Sequence, residues 1–502
     1  MDNQAPPAAP MHDDVIDLKS IRFVLDKAAY TVLMTSPLIP PVATRPRRVQ
    51  DSFFDTDDFA LARQSMALRM RKAGRRLSLA LLYGETITES ALSSPMPDLT
   101  VFGPLWQTTL ETLTHGLPLK LIANASLTQE RRYFANASLV FETGFLSATA
   151  QKQAFYEVEI AAPKSLLPNA ALALASHFSL HQQPETLAIR AARLAGGPAP
   201  DVHKAAPGLK GDLSLDEAVT WITQVCLTQF RANWSVFYEG NEVAAVHQMR
   251  VAMRRLRSAL GLFNRALPTP EFLELRREAK HIASIMSEAR NWDVFIATLH
   301  AGPMQVFPDE IGFTALEAQC AAHRQAGYKQ VEAMLKHPDT TRFLLTAEAF
   351  LARRGWRENP PAEILPYLAE PARIMAARAL ERLHRKLRRH GKKLTHLSVS
   401  ELHMIRIDLK KLRYATEFFG GLFKSETRVR QTSRAAAHLQ EELGWLNDVA
   451  TANSLAARLH GDTVETGRAL GIVLGWTAHA TRGAPKTLAA AWKQFLDTKR
   501  LT

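Results

Sequence analysis

The pattern of hydrophobic and polar positions changes period once along this chain. Between residues 13 and 195 it alternates in short runs. Val15, Asp17 and Lys19 take one side of a strand, with Ile16 and Leu18 on the other; Leu68 and Met70 oppose Arg69 and Arg71. Leu77, Leu79 and Leu81 oppose Ser78, Ala80 and Leu82 after a Gly74 turn, and Glu157 and Glu159 share one side of residues 155–160. Residues 51–58 read as a strand end and a turn that caps a short helix at 59–64. A single strand with charges on one face reads equally well as part of a sheet with a wet side, but several such strands bearing Arg pairs and Glu pairs point to a closed barrel with a polar interior. From residue 213 to residue 500 apolar positions recur at helical spacing and the alternation vanishes, which predicts an all-α domain. Residues 196–212, rich in Gly and Pro, read as the linker, and Ser214 with Glu217 forms a capping box that starts the first long helix.

Within the helical part, residues 247–263 make a helix with one basic and one apolar face. At roughly 100° per residue, His247, Arg250, Arg254 and Arg257 fall within about 80° of one another, while Met249, Met253, Leu256, Leu260 and Phe263 fill the other side. The pattern returns 156 residues later, where His403, Arg406, Lys410, Lys411 and Arg413 stand in the places of His247, Arg250, Arg254, Arg255 and Arg257. A fixed spacing of this kind marks an internal duplication. Asp408 falls on the apolar side of the second copy and Tyr414 on its basic side. The basic faces themselves carry no acid, so their like charges oppose one another until an anion relieves them. A third stripe sets Arg382, Arg385, Lys386, Arg389 and Lys393 on one helix face. Arg276, Arg277, Lys280 and Arg290 add further positive charge, and Asp293 and Asp448 end two similar phrases in structural roles.

Charge sharpens this division. The chain has 502 residues, too many for one core, and a net charge of +13. Residues 1–200 hold 19 Lys and Arg against 18 Asp and Glu, so nearly all the excess lies in the helical part and points to an anionic partner there. Cys226 and Cys320 stand in no metal or redox spacing and read as structural thiols. With no leader pattern and no apolar run long enough to span a bilayer, the reading is a cytoplasmic protein without a membrane partner.

Asp17 and Lys19, the turn at 54–57, residues 68–71 and residues 157–159 resemble the CYTH family of triphosphate tunnel metalloenzymes. That resemblance implies an antiparallel tunnel that binds triphosphate with Mg2+ or Mn2+. Its phosphate ligands would be Lys19, Arg69, Arg71, Arg131 and Arg132, and its metal ligands Glu157 and Glu159. The chain departs from the family pattern: Val15 and Asp17 replace two glutamates, Leu81 and Leu82 stand where a lysine is expected, and Glu142 stands for a late aspartate. Such losses predict a weak or inactive tunnel; an active one would be an inorganic triphosphatase.

The duplicated phrase at His247 and His403, with Arg290 and Asp293 between the copies, resembles the CHAD domain over residues 212–500. CYTH followed by CHAD is a familiar bacterial arrangement. The resemblance implies two pseudo-symmetric four-helix bundles around a basic groove that binds inorganic polyphosphate, and association with polyphosphate granules. The groove residues would be His247, Arg250, Arg254, Arg255, Arg257, Lys280, Arg290, Arg382, Arg385, Lys386, Arg389, His403, Arg406, Lys410, Lys411 and Arg413. No cofactor is needed for such binding. The histidines lack a second metal ligand at i+3 or i+4, where Arg250 and Arg406 stand, so they read as phosphate hydrogen-bonding groups. Nucleic acid is the rival anion, disfavoured because the basic faces are poor in aromatics that stack on bases.

Overall fold

The alternating stretches at 68–71, 77–82 and 155–160 all lie in strands of the computed structural model. It describes residues 18–498, except 43–44, 84–85, 150, 184, 200, 239, 359, 361, 392–393, 395–396 and 481–483. Val15, Asp17 and Lys393 therefore lie outside the described residues, as does the side chain of Asp448. The chain divides into two units: residues up to 201 with 238–241 and 337–353, and the remainder.

Among the described residues the first unit holds nine strands: β1 (Leu18–Val24), β2 (Arg47–Asp55), β3 (Met66–Ala73), β4 (Arg76–Tyr83), β5 (Thr86–Leu92), β6 (Lys120–Phe134), β7 (Ala137–Ala148), β8 (Gln151–Pro163) and β9 (His181–Gln182). All pairs are antiparallel, in the order β5-β4-β3-β2-β6-β7-β8-β1-β9. Helices α1 (Lys27–Thr35), α2 (Ala60–Arg63), α3 (Pro104–Thr114), α4 (Leu167–His177) and α5 (Leu187–Leu194) complete its early part. The predicted cap at 51–58 is formed by Asp55, whose carboxylate accepts from the amides of Leu61 and Ala62, each at 2.9 Å.

Register sorts the sheet into two faces, because successive side chains point opposite ways. Arg22 faces Glu159, Glu157 faces Glu142, Glu142 faces Gln129, and Asp51 faces Arg71, all on one side. Helix α5 covers part of this side, its Ala188 and Ala191 packed with Val49, Phe53, Leu127 and Phe155. On the other side Phe23, Leu139, Phe141, Val158 and Ile160 form a core with Leu33 of α1 and Leu174 of α4.

The second unit is helical: α6 (Leu215–Tyr238), α7 (Glu242–Ala266), α8 (Pro270–Ala301), α9 (Pro303–Val306) and α10 (Gly312–Leu335) precede α11 (Pro338–Ala352), which belongs to the first unit. There Leu345 enters the Phe23 core, and the Thr341 hydroxyl accepts from the Gln182 amide at 2.9 Å. The second unit resumes with α12 (Leu365–Ala369), α13 (Ala372–His390), α14 (Val399–Phe419), α15 (Glu426–Ala456), α16 (Val464–Ala480) and α17 (Ala484–Leu496). The capping box is present: Ser214 and Glu217 exchange hydrogen bonds at the start of α6.

The duplication is visible in three dimensions. Helices α8 and α15 begin 156 residues apart, and α6 and α7 return as α13 and α14 within one or two residues of that offset. Equivalent residues also meet: the ring of Phe263 lies 6.4 Å from that of Phe419, edge to face, and both are fully buried. Contact between equivalent positions is the signature of a twofold relation between the repeats.

Candidate functional site

A groove of about 590 Å3 opens between α7, α8, α13 and α14 in the helical unit. Helical spacing positions its lining. Arg250, Arg254 and Arg257 of α7 stand at i, i+4 and i+7, and Arg276, Lys280, Ser284 and Ser287 of α8 at i, i+4, i+8 and i+11 face them. Arg382 and Lys386 come from α13, and His403, Lys410 and Lys411 from α14. The Ser287 hydroxyl accepts from Arg250 Nε at 2.9 Å and so fixes that guanidinium. Gly261 makes room for Arg276, since a Cβ there would lie 3.2 Å from its Nε.

Cations dominate this groove electrostatically. Among the described residues, Arg250, Arg254, Arg257, Arg276 and Lys280 have no carboxylate partner. Burial first, and then Arg254, Arg290 and Arg406, push the Arg250 pKa down to about 10. Burial, Arg276 and Arg254 likewise lower Arg257. A phosphate chain would remove this mutual repulsion and supply acceptors for charge-assisted hydrogen bonds.

Not every predicted residue lines the groove. His247, Arg290 and Arg406 are not in its lining; His247 and Arg406 lie within the field of Arg250, while Arg290 pairs with Asp293 at 3.6 Å. Arg255 is tied to Glu417, to Gln229 Oε1 at 2.8 Å and to the carbonyl of Ala205 at 3.2 Å, so it braces helices. Arg385 pairs with Glu381 at the surface and Arg389 is exposed. Arg413 lies over the Tyr414 ring, 5.5 Å from its centroid. Asp293 also accepts from Arg324 and from the Tyr328 hydroxyl, each at 2.8 Å, which is the structural role expected of it. Ser284 and Ser287 complete the face begun by Arg276 and Lys280, and helical spacing from those two residues is the signal in the sequence that marks them.

Asp408 has a role that its position on the helical wheel hid. It is 1% exposed, lines the groove, and holds Lys386 Nζ at 2.7 Å and Lys411 Nζ at 3.2 Å. It is thus an internal anion competing for two groove cations. Asp408→Asn is expected to free both lysines for an added anion and to lower the melting temperature, as read by calorimetry with tripolyphosphate as the probe and by a thermal melt.

The sheet unit offers a second charged cluster, on its polar face. Arg22 Nη1 lies 2.5 Å from Glu142 and 3.0 Å from Glu157, and Nη2 bonds Glu159. Arg190 of α5 adds an ion pair with Glu157 at 2.5 Å, and Arg71 grips Asp51 through two bonds of 2.7 Å. Of the predicted tunnel residues, register places Arg69, Arg71, Arg131, Glu157 and Glu159 on this face. Lys19 and Arg132 stand on the opposite one; Arg132 is buried and binds the carbonyls of Met34 and Ile39. Glu142 sits within β7. Arg22, Asp51 and Arg190 were missed, although Ser20, Arg22 and Val24 against Ile21 and Phe23 already alternate in the sequence.

A divalent cation does not fit this cluster as it stands. The Arg22 guanidinium lies among the three glutamates, and among the described residues no three His, Cys, Asp or Glu side chains converge to hold a metal ion. Also among the described residues, no helix is long and apolar enough to cross a membrane. Cys226 and Cys320 are buried, and burial pushes both thiols up to about 12.

A CYTH domain family model matches residues 21–192 and a CHAD domain family model matches residues 222–457. Among solved structures, the CHAD domain from the plant Ricinus communis matches with a TM-score of 0.52 and 29% identity, over 60% of this chain and 99% of that one. PptA from Streptomyces chartreusis matches at a TM-score of 0.41 and 18% identity, over 56% of this chain and 100% of that one. HpAC1 from Hippeastrum, described as having a dominant triphosphatase activity, matches at 0.27 and 15%, over 36% and 97%. No curated protein matches the chain.

Proposed function

This chain is built from a CYTH domain and a CHAD domain, and on that premise we propose that it binds inorganic polyphosphate in the groove between α7, α8, α13 and α14. The observation that carries the reading is the set of arginines on α7 and α8 that face one another without carboxylates. A linear polyanion with one charge per phosphate needs such rows and little else. Nucleic acid is disfavoured because Tyr414, the aromatic ring in the lining, is 3% exposed and stacked on Phe418, leaving no face for a base. In the cell the protein would collect at polyphosphate granules.

Titration of the full-length protein with long-chain polyphosphate, with DNA as competitor at equal phosphate, tests this. Polyphosphate is expected to win, and DNA winning overturns the reading. Metal-dependent triphosphate hydrolysis in the CYTH domain is the second reading, which the Arg22 cluster disfavours.

Binding carries a pH signature through His247. Burial first, then Arg290, Arg250, Arg254 and Lys204, hold its imidazole below the ordinary value. Acid therefore protonates the unfolded chain first, so stability is unaffected above about pH 6.5 and falls as the pH drops through that value. A bound polyanion offsets the neighbouring charges, so binding should take up a proton and tighten a few-fold from about pH 8 to about pH 6. Calorimetry in buffers of different ionisation enthalpy reads this uptake, and His247→Gln is expected to flatten it.

A further inference from the structure

We propose that Arg22 is the resident cation of the CYTH domain, holding Glu142, Glu157 and Glu159 together so that its polar face is organised without Mg2+ or Mn2+. Pairing of β1 with β8 sets Arg22 opposite Glu159, and pairing of β8 with β7 sets Glu157 opposite Glu142. One guanidinium therefore faces three carboxylates from two neighbouring strands. A planar fork of donors suits this task, because Nη1 is shared by Glu142 and Glu157 while Nη2 reaches Glu159.

Both oxygens of Glu142 and Glu157, and one of Glu159, already face a cation or an amide. Glu142 accepts from Gln129 at Oε1 and from Arg22 at Oε2. Glu157 meets Arg190 at Oε1 and Arg22 at Oε2, and it is completely buried. Glu159 takes the other nitrogen of Arg22. A hard cation with six or more oxygen ligands would have to expel a charged side chain that is covalently attached to the strand. A guanidinium keeps its charge throughout the physiological pH range, so the cation does not leave by deprotonation. The arrangement differs in kind from a metal site: the positive charge is permanent, single and fixed by the fold.

The test uses Mn2+ as the probe on the full-length protein, read by electron paramagnetic resonance and by thermal melts. The wild type is expected to show no Glu157-dependent Mn2+ site at millimolar metal and no melting shift. Arg22→Gln is expected to melt lower, to gain an Mn2+ site at least tenfold tighter than any in the wild type, and to recover its melting temperature when Mn2+ is added. Arg22→Gln combined with Glu157→Gln should lose that site, while Arg22→Lys should remain free of metal. A wild-type Mn2+ site abolished by Glu157→Gln overturns the proposal, as does a folded Arg22→Gln that gains none. Should Arg22→Gln fail to fold, the wild type and Arg22→Lys decide by the same criterion. The outcome does not depend on what the groove of the other unit binds.

Discussion

Alanine at Arg250, Arg254 and Arg257 together is expected to lower the affinity for long-chain polyphosphate by about three orders of magnitude without destabilising the protein. Each guanidinium contributes a hydrogen bond to a charged acceptor, at about 1.5 kcal/mol or more. The three stand on one face of α7 and all line the groove, so one ligand meets them together. The logarithmic salt dependence should fall by about two units, since fewer counterions are released when three cations are lost. Stability moves the other way. Burial and like-charged neighbours already lower Arg250 and Arg257, and removing each like-charged pair returns a few tenths of a kcal/mol. Loss of the aliphatic stems offsets part of this gain. Calorimetric titration with a parallel thermal melt separates the effects: a sharp fall in affinity with an unchanged or raised melting temperature identifies binding residues. Arg255→Ala is the contrast, because its pairing with Glu417 and Gln229 predicts a lowered melting temperature and a small effect on affinity.

Much of this site was legible because two periods, 3.6 and 156, were superposed. The helical period put Arg250, Arg254 and Arg257 on one face, and the duplication brought His403 and Lys410 to an equivalent one. Neither period tells which side of a basic helix meets a partner helix. Arg255 and Arg413 therefore looked like groove residues, and Asp408, on the apolar side of its wheel, looked like an intruder. Arg255 turns toward Glu417, and Asp408 is buried exactly where two lysines converge. The sheet unit was less legible, for a related reason. Period two shows that residues share a face but not which strands adjoin, and the Arg22 cluster exists only because β1 pairs with β8 and β8 with β7. Helix α11 shows the same limit at the scale of units. Its apolar spacing predicts a helix correctly, but nothing local indicates that Leu345 joins the Phe23 core of the sheet unit and not the neighbouring helices.

Phe263→Ala and Phe419→Ala are each expected to cost about 3–5 kcal/mol, seen as a fall of roughly 6–12 °C in the melting of the helical unit. Both rings are fully buried, and they meet edge to face where the two repeats contact each other; Phe263 also lies 6.4 Å from Phe272. Truncating either ring leaves a cavity between α7 and α14, both of which contribute lining to the groove, so affinity for polyphosphate should fall along with stability. Because the two rings share one contact, the double variant should lose less than the sum of the singles, by about 0.5–1.5 kcal/mol. Phe419→Leu, which keeps most of the volume, should recover the larger part of both losses. Strict additivity in the double-mutant cycle would show that the two phenylalanines act apart, and that the repeats are joined elsewhere than at their equivalent positions.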